Sequence, residues 1–321
     1  MFHATTLAIG GLALAFLLDK LGWEGLRRVF VGTGWWFALV AAIDLGSLLC
    51  DAGASHSFVR PHAEVSYWRV FAAQASGLAI NRLTPANSMG EAVKVTMLAE
   101  HVPTHAAVSA IVMFNLATIT IAIAAVVLGV PLTLITLDLS PGVQIAVAIA
   151  GVVMVAFVIL LLVIARRGAV GSLITALQRL RLISEMRAER WRTKIVDIDA
   201  HVKQFGRPGS RRGIGFVMLS RTLNWIGTVI TMIAADIPLD PPLVLAMLSV
   251  GILITWMSNV IPLGLGIADG TNYALYGVLG SSGPVGLVYT MINRARTCLL
   301  AMMGLTVMLI ENLTARPSRA D

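Results

Sequence analysis

The amino-acid sequence predicts an all-α membrane protein that crosses the bilayer several times. Of its 321 residues, 57% are hydrophobic and 13% are charged, and the mean hydropathy is +0.83. Soluble domains have about 25% charged residues, so these values exclude a soluble globular enzyme, a disordered chain and a disulfide scaffold. In addition, two long apolar stretches are interrupted near their centres by Pro and Gly. This second observation adds two broken hairpins to a set of ordinary spanning helices.

Six stretches are predicted to span the membrane, because a spanning helix needs about 20 apolar residues. They are residues 4–18, 34–53, 105–130, 142–165, 213–235 and 285–310. The first is short, and we expect it to be retained because no small-residue cleavage site follows Leu18. The second contains Asp44 and Asp51, which are seven residues apart and therefore lie on one helix face.

Two further apolar stretches are predicted to form re-entrant helical hairpins. Residues 67–99 are interrupted at 83–90, and residues 243–279 are interrupted at 259–266. Pro removes a backbone donor and Gly relaxes the chain, which is unfavourable in hydrocarbon unless the broken backbone is buried in protein or lines a polar cavity. The alternative is two kinked helices that pack into an ordinary bundle.

The charge distribution predicts the orientation in the membrane. Twelve of the 24 basic residues lie between Arg166 and Arg212, together with only four acidic residues. By the positive-inside rule this segment is cytoplasmic, and its apolar residues recur at the spacing of an amphipathic helix. The first hairpin then opens to the cytoplasm and the second to the outside, as in an inverted-topology repeat. One region conflicts with this scheme, because it places the basic residues of 19–33 outside.

The same features divide the chain into four parts. Residues 1–165 are a first membrane half with the hairpin 67–99, and residues 166–212 are a basic connector. Residues 213–315 are a second membrane half with the hairpin 243–279, and residues 316–321 are a cytoplasmic tail. The connector has no aromatic interleaving and no nucleic-acid-binding motif. We therefore expect its charge to reflect membrane topology and not a nucleic-acid partner.

Short motifs at the breaks resemble those of a known family. Residues 85–94 read Pro-Ala-Asn-Ser-Met-Gly-Glu-Ala-Val-Lys, residues 262–270 read Pro-Leu-Gly-Leu-Gly-Ile-Ala-Asp-Gly, and residues 291–294 read Met-Ile-Asn-Arg. The first two resemble a Pro-x-x-x-x-Gly-Glu-x-x-Arg/Lys motif and a Pro-x-x-x-Gly-x-x-Glu loop, and the third resembles the arginine-bearing helix that follows. Together they resemble the flippase-like transmembrane domain of lysylphosphatidylglycerol synthetases, over nearly the whole chain.

The resemblance implies a lipid-handling protein of a prokaryotic cytoplasmic membrane. It comes with two departures: Asp269 stands where the family usually has Glu, and the helix with Asn115 lacks an acidic–arginine pair often found there. Only ten residues follow Glu311. We therefore expect no aminoacyl-transferase domain, and no transfer of lysine to lipid by this chain.

Ionisable and polar residues at the breaks are the candidate substrate-binding residues. A charged group at the bilayer centre costs about 2.5–3.5 kcal/mol, so such groups usually face the interior of the bundle and have a partner. The guanidinium of Arg82, just before the first break, suits a lipid phosphate. The full candidate set is Arg82, Glu91, Lys94, Asn259, Asp269 and Arg294, and Asp44 is the candidate for coupling to an ion.

Each candidate also has a purely structural interpretation. Glu91 and Lys94 are three residues apart, so they share a helix face and can form an ion pair that stabilises the hairpin. Arg82 can be a snorkelling interfacial side chain, and Arg294 can pair with Asp269. Asp51 is interpreted as the cytoplasmic end of the second span. Arg221 lies in the first turns of the span 213–235 and is interpreted as an interfacial anchor, with a substrate-binding role as the alternative.

The sequence therefore predicts a membrane lipid translocase that moves an anionic phospholipid or a polyprenyl-phosphate-type lipid between leaflets. One alternative is a membrane enzyme or glycosyltransferase accessory that acts on a lipid-linked substrate. The other is a structural membrane partner without a substrate. No catalytic, nucleotide-binding or metal-binding motif was found, so we expect no enzyme activity, no cofactor and no metal. An oligomer or a partner protein of a lipid pathway remains open.

Overall fold

The computed structural model describes residues 30–61, 63–84, 89–137, 141–166, 208–258, 267–278 and 283–314, together with Leu7, Gly11, Leu12, Ala15 and Arg27. Most of the predicted span 4–18, nearly all of the connector 166–212 and the tail 316–321 lie outside these residues, as does Asn259.

Nine α-helices account for the described part of the chain from residue 35 onwards, which contains no strand. They are α1 (Trp35–Val59), α2 (Tyr67–Leu83), α3 (Gly90–Ala99), α4 (Thr104–Thr136), α5 (Pro141–Arg166), α6 (Pro208–Ala234), α7 (Pro241–Ser258), α8 (Ile267–Val278) and α9 (Gly283–Thr314). The prediction of an all-α protein is therefore confirmed.

Four helices are long and apolar enough to cross a membrane: α1, α4, α6 and α9. They have 25, 33, 27 and 32 residues, which exceeds the ~20 residues that cross a hydrocarbon core of ~30 Å. They coincide with four of the predicted spans, and α5 occupies the predicted span 142–165. The chain is therefore a polytopic membrane protein.

The first broken stretch folds as two short helices packed side by side. α2 ends at Leu83, Thr84 is extended, and α3 begins at Gly90. The two helices approach closely because Gly77 and Gly90 have no side chains. A Cβ atom on Gly90 would overlap the carbonyl oxygen of Gly77 and the side chain of Asn81. Asn81 Oδ1 instead accepts a hydrogen bond of 2.7 Å from the Gly90 amide, which satisfies a backbone donor at the start of α3.

The second broken stretch has the same plan. α7 and α8 have 18 and 12 residues, compared with 17 and 10 in α2 and α3. The long helix α9 follows α8 and packs against it. A Cβ atom on Gly286 would overlap the backbone of Asn272, and Asn272 Nδ2 donates a hydrogen bond of 2.9 Å to Thr290 Oγ1. Close packing and a buried polar contact thus join α8 to α9.

Helix packing is reciprocal between the two halves of the chain. α1 packs along α6, the first helix of the other half. α2 of the first half packs against α9 of the second, and α7 of the second packs against α4 of the first. At the latter crossing Gly129 lies against Ser249, whose hydroxyl is 3.2 Å from Thr133 Oγ1. The packing of α2 on α9 thus has a counterpart in the packing of α7 on α4.

The two ends of the first hairpin lie at the same end of the bundle. A cleft of about 520 Å³ is lined by residues from the start of α2, the end of α3 and the end of α9, namely Ser66, Trp68, Arg69, Glu100, His101, Glu311 and Thr314. His56 Nε2 is 3.0 Å from the carbonyl oxygen of Val65 there, and the Tyr67 hydroxyl donates to the carbonyl oxygen of Leu49 over 2.8 Å. The start of α2 and the end of α3 thus lie close together.

Substitution of Gly304 tests the crossing of α9 and α2. An added methyl group would overlap the carbonyl oxygen of Ala75 and the methyl group of Ala79. We expect Gly304→Ala to destabilise the protein by about 1–3 kcal/mol, the usual range for overpacking. The measurement is thermal unfolding in detergent. Gly215→Ala is the matched control, because a Cβ atom there meets nothing within 4 Å. Equal stability of the two variants would contradict this packing.

Candidate functional site

A cavity of about 640 Å³ lies among the helices. It is bordered by side chains from α1, α2, α3, α4, α6, α7, α8 and α9, so both halves of the chain contribute. The charged residues that line it are Asp44, Asp51, Arg82, Lys94, Arg221, Arg294 and Arg296. Among the residues that the structure describes, five cationic side chains and two carboxylates line the cavity, and the Glu91 carboxylate binds Lys94 beside it. Cationic groups therefore outnumber acidic ones in the described part of the site, which favours an anionic occupant.

Helix α1 brings both carboxylates to the cavity. Asp44 and Asp51 are separated by two turns and therefore lie on one face. Small polar side chains occupy the turn between them: Ser47 Oγ is 2.9 Å from Ser220 Oγ, and Asn224 Nδ2 donates to Ser47 Oγ over 2.5 Å. These contacts hold α1 against α6 between the two acidic positions.

Asp44 forms a tightly held ion pair with Arg296 of α9. Arg296 Nε donates to Asp44 Oδ2 over 2.9 Å and Arg296 Nη2 donates to Asp44 Oδ1 over 2.6 Å. Arg296 Nη1 donates to Thr231 Oγ1 of α6 and to Asn293 Oδ1 over 3.1 and 3.0 Å. Bidentate pairing is the strongest arginine–carboxylate geometry, so this cluster joins α1, α6 and α9 at one point.

Asp51 forms a looser ion pair with Arg221 of α6. One nitrogen, Arg221 Nη2, lies 3.0 Å from both carboxylate oxygens and also 3.0 Å from Ser220 Oγ. Arg221 Nε is buried without a hydrogen-bond partner. The helix α1 continues to Val59, so the expectation that Asp51 ends this span is wrong. Arg221, interpreted as an interfacial anchor, lines the cavity and binds Asp51. Helix rotation, which spacing alone does not reveal, turns both side chains inward.

Glu91 lies at the centre of the first hairpin's polar contacts. Lys94 Nζ is 2.9 Å from Glu91 Oε1, so the predicted pair on one helix face is present. Asn81 Nδ2 donates to Glu91 Oε1, and Asn115 Nδ2 donates to Glu91 Oε2, each over 3.0 Å. Glu91 is thus bound by α2, by α4 and by its own helix. Of this group, Lys94 and Asn81 line the cavity.

Arg82 lines the cavity at the last turn of α2. Its charge interacts with those of Asp44, Arg221 and Arg296. None of the hydrogen bonds or ion pairs within the described part of the chain involves the Arg82 side chain. A guanidinium in this position, close to three other charged groups but bound to none of them, is available to an anion that enters the cavity.

The structure brings together most of the candidate residues that it describes. Arg82, Lys94, Arg294 and Asp44 line the cavity, and Glu91 binds Lys94 beside it. Asn259 and the side chain of Asp269 lie outside what the structure describes, so the predicted pair of Asp269 with Arg294 stays a prediction. Among the described residues, no three His, Cys, Asp or Glu side chains are grouped as metal ligands.

Sequence analysis did not single out Arg296. Arg296 lies two residues after Arg294 in the same helix. Its position inside an apolar stretch is the feature of the sequence that could have identified it. A buried cation at that depth needs a counter-ion, and Asp44 is an acidic residue near the middle of another predicted span, for which the sequence analysis proposed no partner. Combining these two facts would have suggested their pairing.

The fold and the cavity together define a class: an integral membrane protein whose helix bundle encloses a polar, cation-rich site. A family model described as the lysylphosphatidylglycerol synthase TM region matches residues 4–304. The chain therefore belongs to that family, as the motifs at the breaks predicted. No curated protein and no solved structure gives a significant match.

Replacing Asp44 alone should destabilise the fold. Asp44→Asn leaves the buried Arg296 without its counter-ion, and breaking a buried pair on one side costs about 3–5 kcal/mol. The double variant Asp44→Leu/Arg296→Met removes both charges, and its free energy of unfolding should fall much less than that of Asp44→Asn. Unfolding in detergent measures both. Asp236→Asn is the control, since Asp236 is exposed and has φ 53°, a conformation that Asn tolerates. A single variant as stable as the control would contradict a structural role for the pair.

Proposed function

We propose that this protein is a membrane lipid translocase that moves an anionic lipid, a phospholipid or a polyprenyl-phosphate-type lipid, between the two leaflets. The observation that carries the proposal is the cation-rich cavity inside an apolar helix bundle. A cavity of this kind is compatible with a charged head group, which is otherwise costly to move through hydrocarbon. The acyl or prenyl chains of such a lipid remain in the bilayer.

The charge balance of the cavity favours a phosphate. Asp44 and Asp51 neutralise Arg296 and Arg221, and Glu91 neutralises Lys94. Arg294 has an interaction of its own. Arg82 is then the cationic side chain, among those described in the cavity, that has neither an ion pair nor a hydrogen bond. Its planar fork of donors matches phosphate oxygens, so it is the proposed head-group residue.

The cavity wall is also suited to a lipid. Apolar side chains of α4 and α7 form part of it, including Ile119, Ile121, Leu248 and Ile252. The outer faces of the bundle expose large apolar side chains such as Leu128, Ile135 and Val152, as expected for contact with acyl chains. A head group inside the cavity thus has apolar surface next to it for the first part of its tails.

We further propose that both broken stretches are re-entrant hairpins related as an inverted repeat. α3 has 10 residues, a length of about 15 Å, whereas the hydrocarbon core is about 30 Å thick. The shared cleft at the ends of α2 and α3 supports entry and exit on one side. Reciprocal packing of the two halves supports the repeat. In transporters with this architecture the substrate binds where the repeats meet.

Cysteine labelling in intact membranes tests the hairpin topology. In a background lacking Cys50 and Cys298, we expect Ser66→Cys and Thr104→Cys to react from the same side, because the hairpin returns. Leu239→Cys, just before α7, should react from the opposite side. All three residues are exposed and lie outside the ends of the broken stretches. Labelling of positions 66 and 104 from opposite sides would show that 67–99 crosses the membrane.

Exchange of fluorescent lipids in proteoliposomes tests the function itself. The lipids are phosphatidylglycerol, a zwitterionic phospholipid and a polyprenyl phosphate, and the readout is the rate at which label reaches the outer leaflet. We expect the protein to accelerate the exchange of at least one anionic lipid between the leaflets. Arg82→Gln should lower that rate about tenfold, the equivalent of one charge-assisted hydrogen bond of ~1.5 kcal/mol.

The matched control is Arg60→Gln, the same change at an exposed arginine at the end of α1. It should retain the rate of the unmodified protein, and both variants are first shown to be folded by thermal unfolding. If folded protein accelerates no lipid, or if Arg82→Gln and Arg60→Gln are equally active, the proposed head-group site is wrong.

A further inference from the structure

The two ion pairs that line the cavity differ in how many nitrogens of the arginine guanidinium donate hydrogen bonds. In the pair of Asp44 with Arg296, three nitrogens of the guanidinium donate hydrogen bonds, to Asp44, Thr231 and Asn293. The side chains of Arg296 and Asp44 are 13% and 4% exposed. Because Arg296 Nε already donates to Asp44, it is not available to an anion that enters the cavity. We therefore treat this pair as a structural part of the fold.

The pair of Asp51 with Arg221 is incomplete. All its described hydrogen bonds come from Arg221 Nη2, while the buried Arg221 Nε has no acceptor. The side chains of Arg221 and Asp51 are 25% and 16% exposed, and both line the cavity. A buried N–H without an acceptor is unfavourable, so an oxygen atom that accepts a hydrogen bond from it is stabilised there.

We propose that Arg221 is a second phosphate-binding residue, that the phosphate displaces Asp51 from it, and that Asp51 then binds a proton. This inference rests on the proposed function and adds a coupled activity to it. The arriving phosphate accepts hydrogen bonds from Arg221 Nε and Nη2. The carboxylate of Asp51 loses its only described ion-pair partner at a mostly buried position. A buried, unpaired carboxylate binds a proton because the charged form is costly there.

The charged groups around Asp51 leave it no replacement cation. On α6 the charged group in contact with it is Arg221 itself. The cavity cation on α2 is Arg82, which the proposed function assigns to the same phosphate. On α9, Arg296 is bound by Asp44 and Arg294 has an interaction of its own. On α3, Lys94 is bound by Glu91. α4 has no ionisable side chain beyond His105 in its first turn, and the ionisable neighbours on α1 itself are Asp44, Cys50 and His56.

Lipid and proton therefore move together. The proton comes from water in the cavity, forms an O–H bond at a carboxylate oxygen of Asp51, and returns to water when the phosphate leaves and Arg221 rebinds Asp51. In each cycle the lipid phosphate brings one negative charge and the proton brings one positive charge. The net charge of the cavity is therefore the same with and without the lipid. The geometry thus favours Asp51 over Asp44 as the coupling residue. A pH gradient then drives the anionic lipid towards the leaflet on the alkaline side.

Proton uptake on ligand binding is the first test. Short-chain phosphatidylglycerol is added to the detergent-solubilised full chain in weakly buffered solution, and bound lipid and bound protons are measured together. We expect about one proton per bound lipid. Asp51→Asn removes the competing carboxylate, so it should bind the lipid about tenfold more tightly and take up no proton. Asp51→Glu keeps a carboxylate and should restore the uptake.

A pH gradient across proteoliposomes is the second test. Fluorescent phosphatidylglycerol should accumulate in the leaflet on the alkaline side with the unmodified protein and with the control Asp236→Asn. With Asp51→Asn the distribution should no longer follow the gradient. Folding of each variant is checked by thermal unfolding. If Asp51→Asn does not fold, Asp51→Ser, which also removes the carboxylate, replaces it in both tests.

The outcomes separate this inference from the proposed function. Lipid binding and exchange without proton uptake, or a gradient response that persists in Asp51→Asn, would overturn the coupling and leave the translocase in place. Absence of both binding and exchange in folded protein would overturn the two together. Uptake of one proton that disappears in Asp51→Asn and returns in Asp51→Glu supports the coupling.

Discussion

Burial of charge in an apolar bundle is the constraint on which this structure depends. Each carboxylate of α1 meets an arginine from another helix, Asp44 with Arg296 and Asp51 with Arg221. Away from water such charges are tolerated when they are paired and hydrogen-bonded, so the pairs restrict how α1, α6 and α9 are placed. Each pair joins α1 of the first half to a helix of the second half, and both pairs line the cavity. The cavity therefore lies where the two halves meet.

The first break shows how the chain interrupts a helix inside the bundle. Gly90 permits α3 to begin against α2, and Asn81 supplies the acceptor that the first amide of α3 lacks. Asn81 also donates to Glu91, which binds Lys94 and Asn115. Among the described residues on either side of the break, these polar groups are thus joined in one connected network, and a buried polar network is stable only when its members are bonded.

The completeness of this pairing explains which residues remain for a ligand. Where each guanidinium nitrogen donates a hydrogen bond, as in Arg296, the side chain serves the fold. Arg82, without an ion pair, and Arg221, with a buried Nε that has no acceptor, are the cavity side chains on which the proposed head-group site and the proposed proton coupling rest. The number of hydrogen bonds that the protein already makes to a guanidinium thus separates the arginine that stabilises the fold from those proposed to bind a ligand.

The sequence by itself determined the membrane class, the positions of the long helices, both interruptions, the family motifs and the pair of Glu91 with Lys94. All of these follow from local information: runs of apolar residues, Pro and Gly, and spacing on a single helix. Only the tertiary structure decided that Arg296 and Arg221 bind Asp44 and Asp51, because the partners lie 252 and 170 residues apart in the chain. Such pairing depends on the depth and rotation of separate helices, which packing sets and local spacing does not encode.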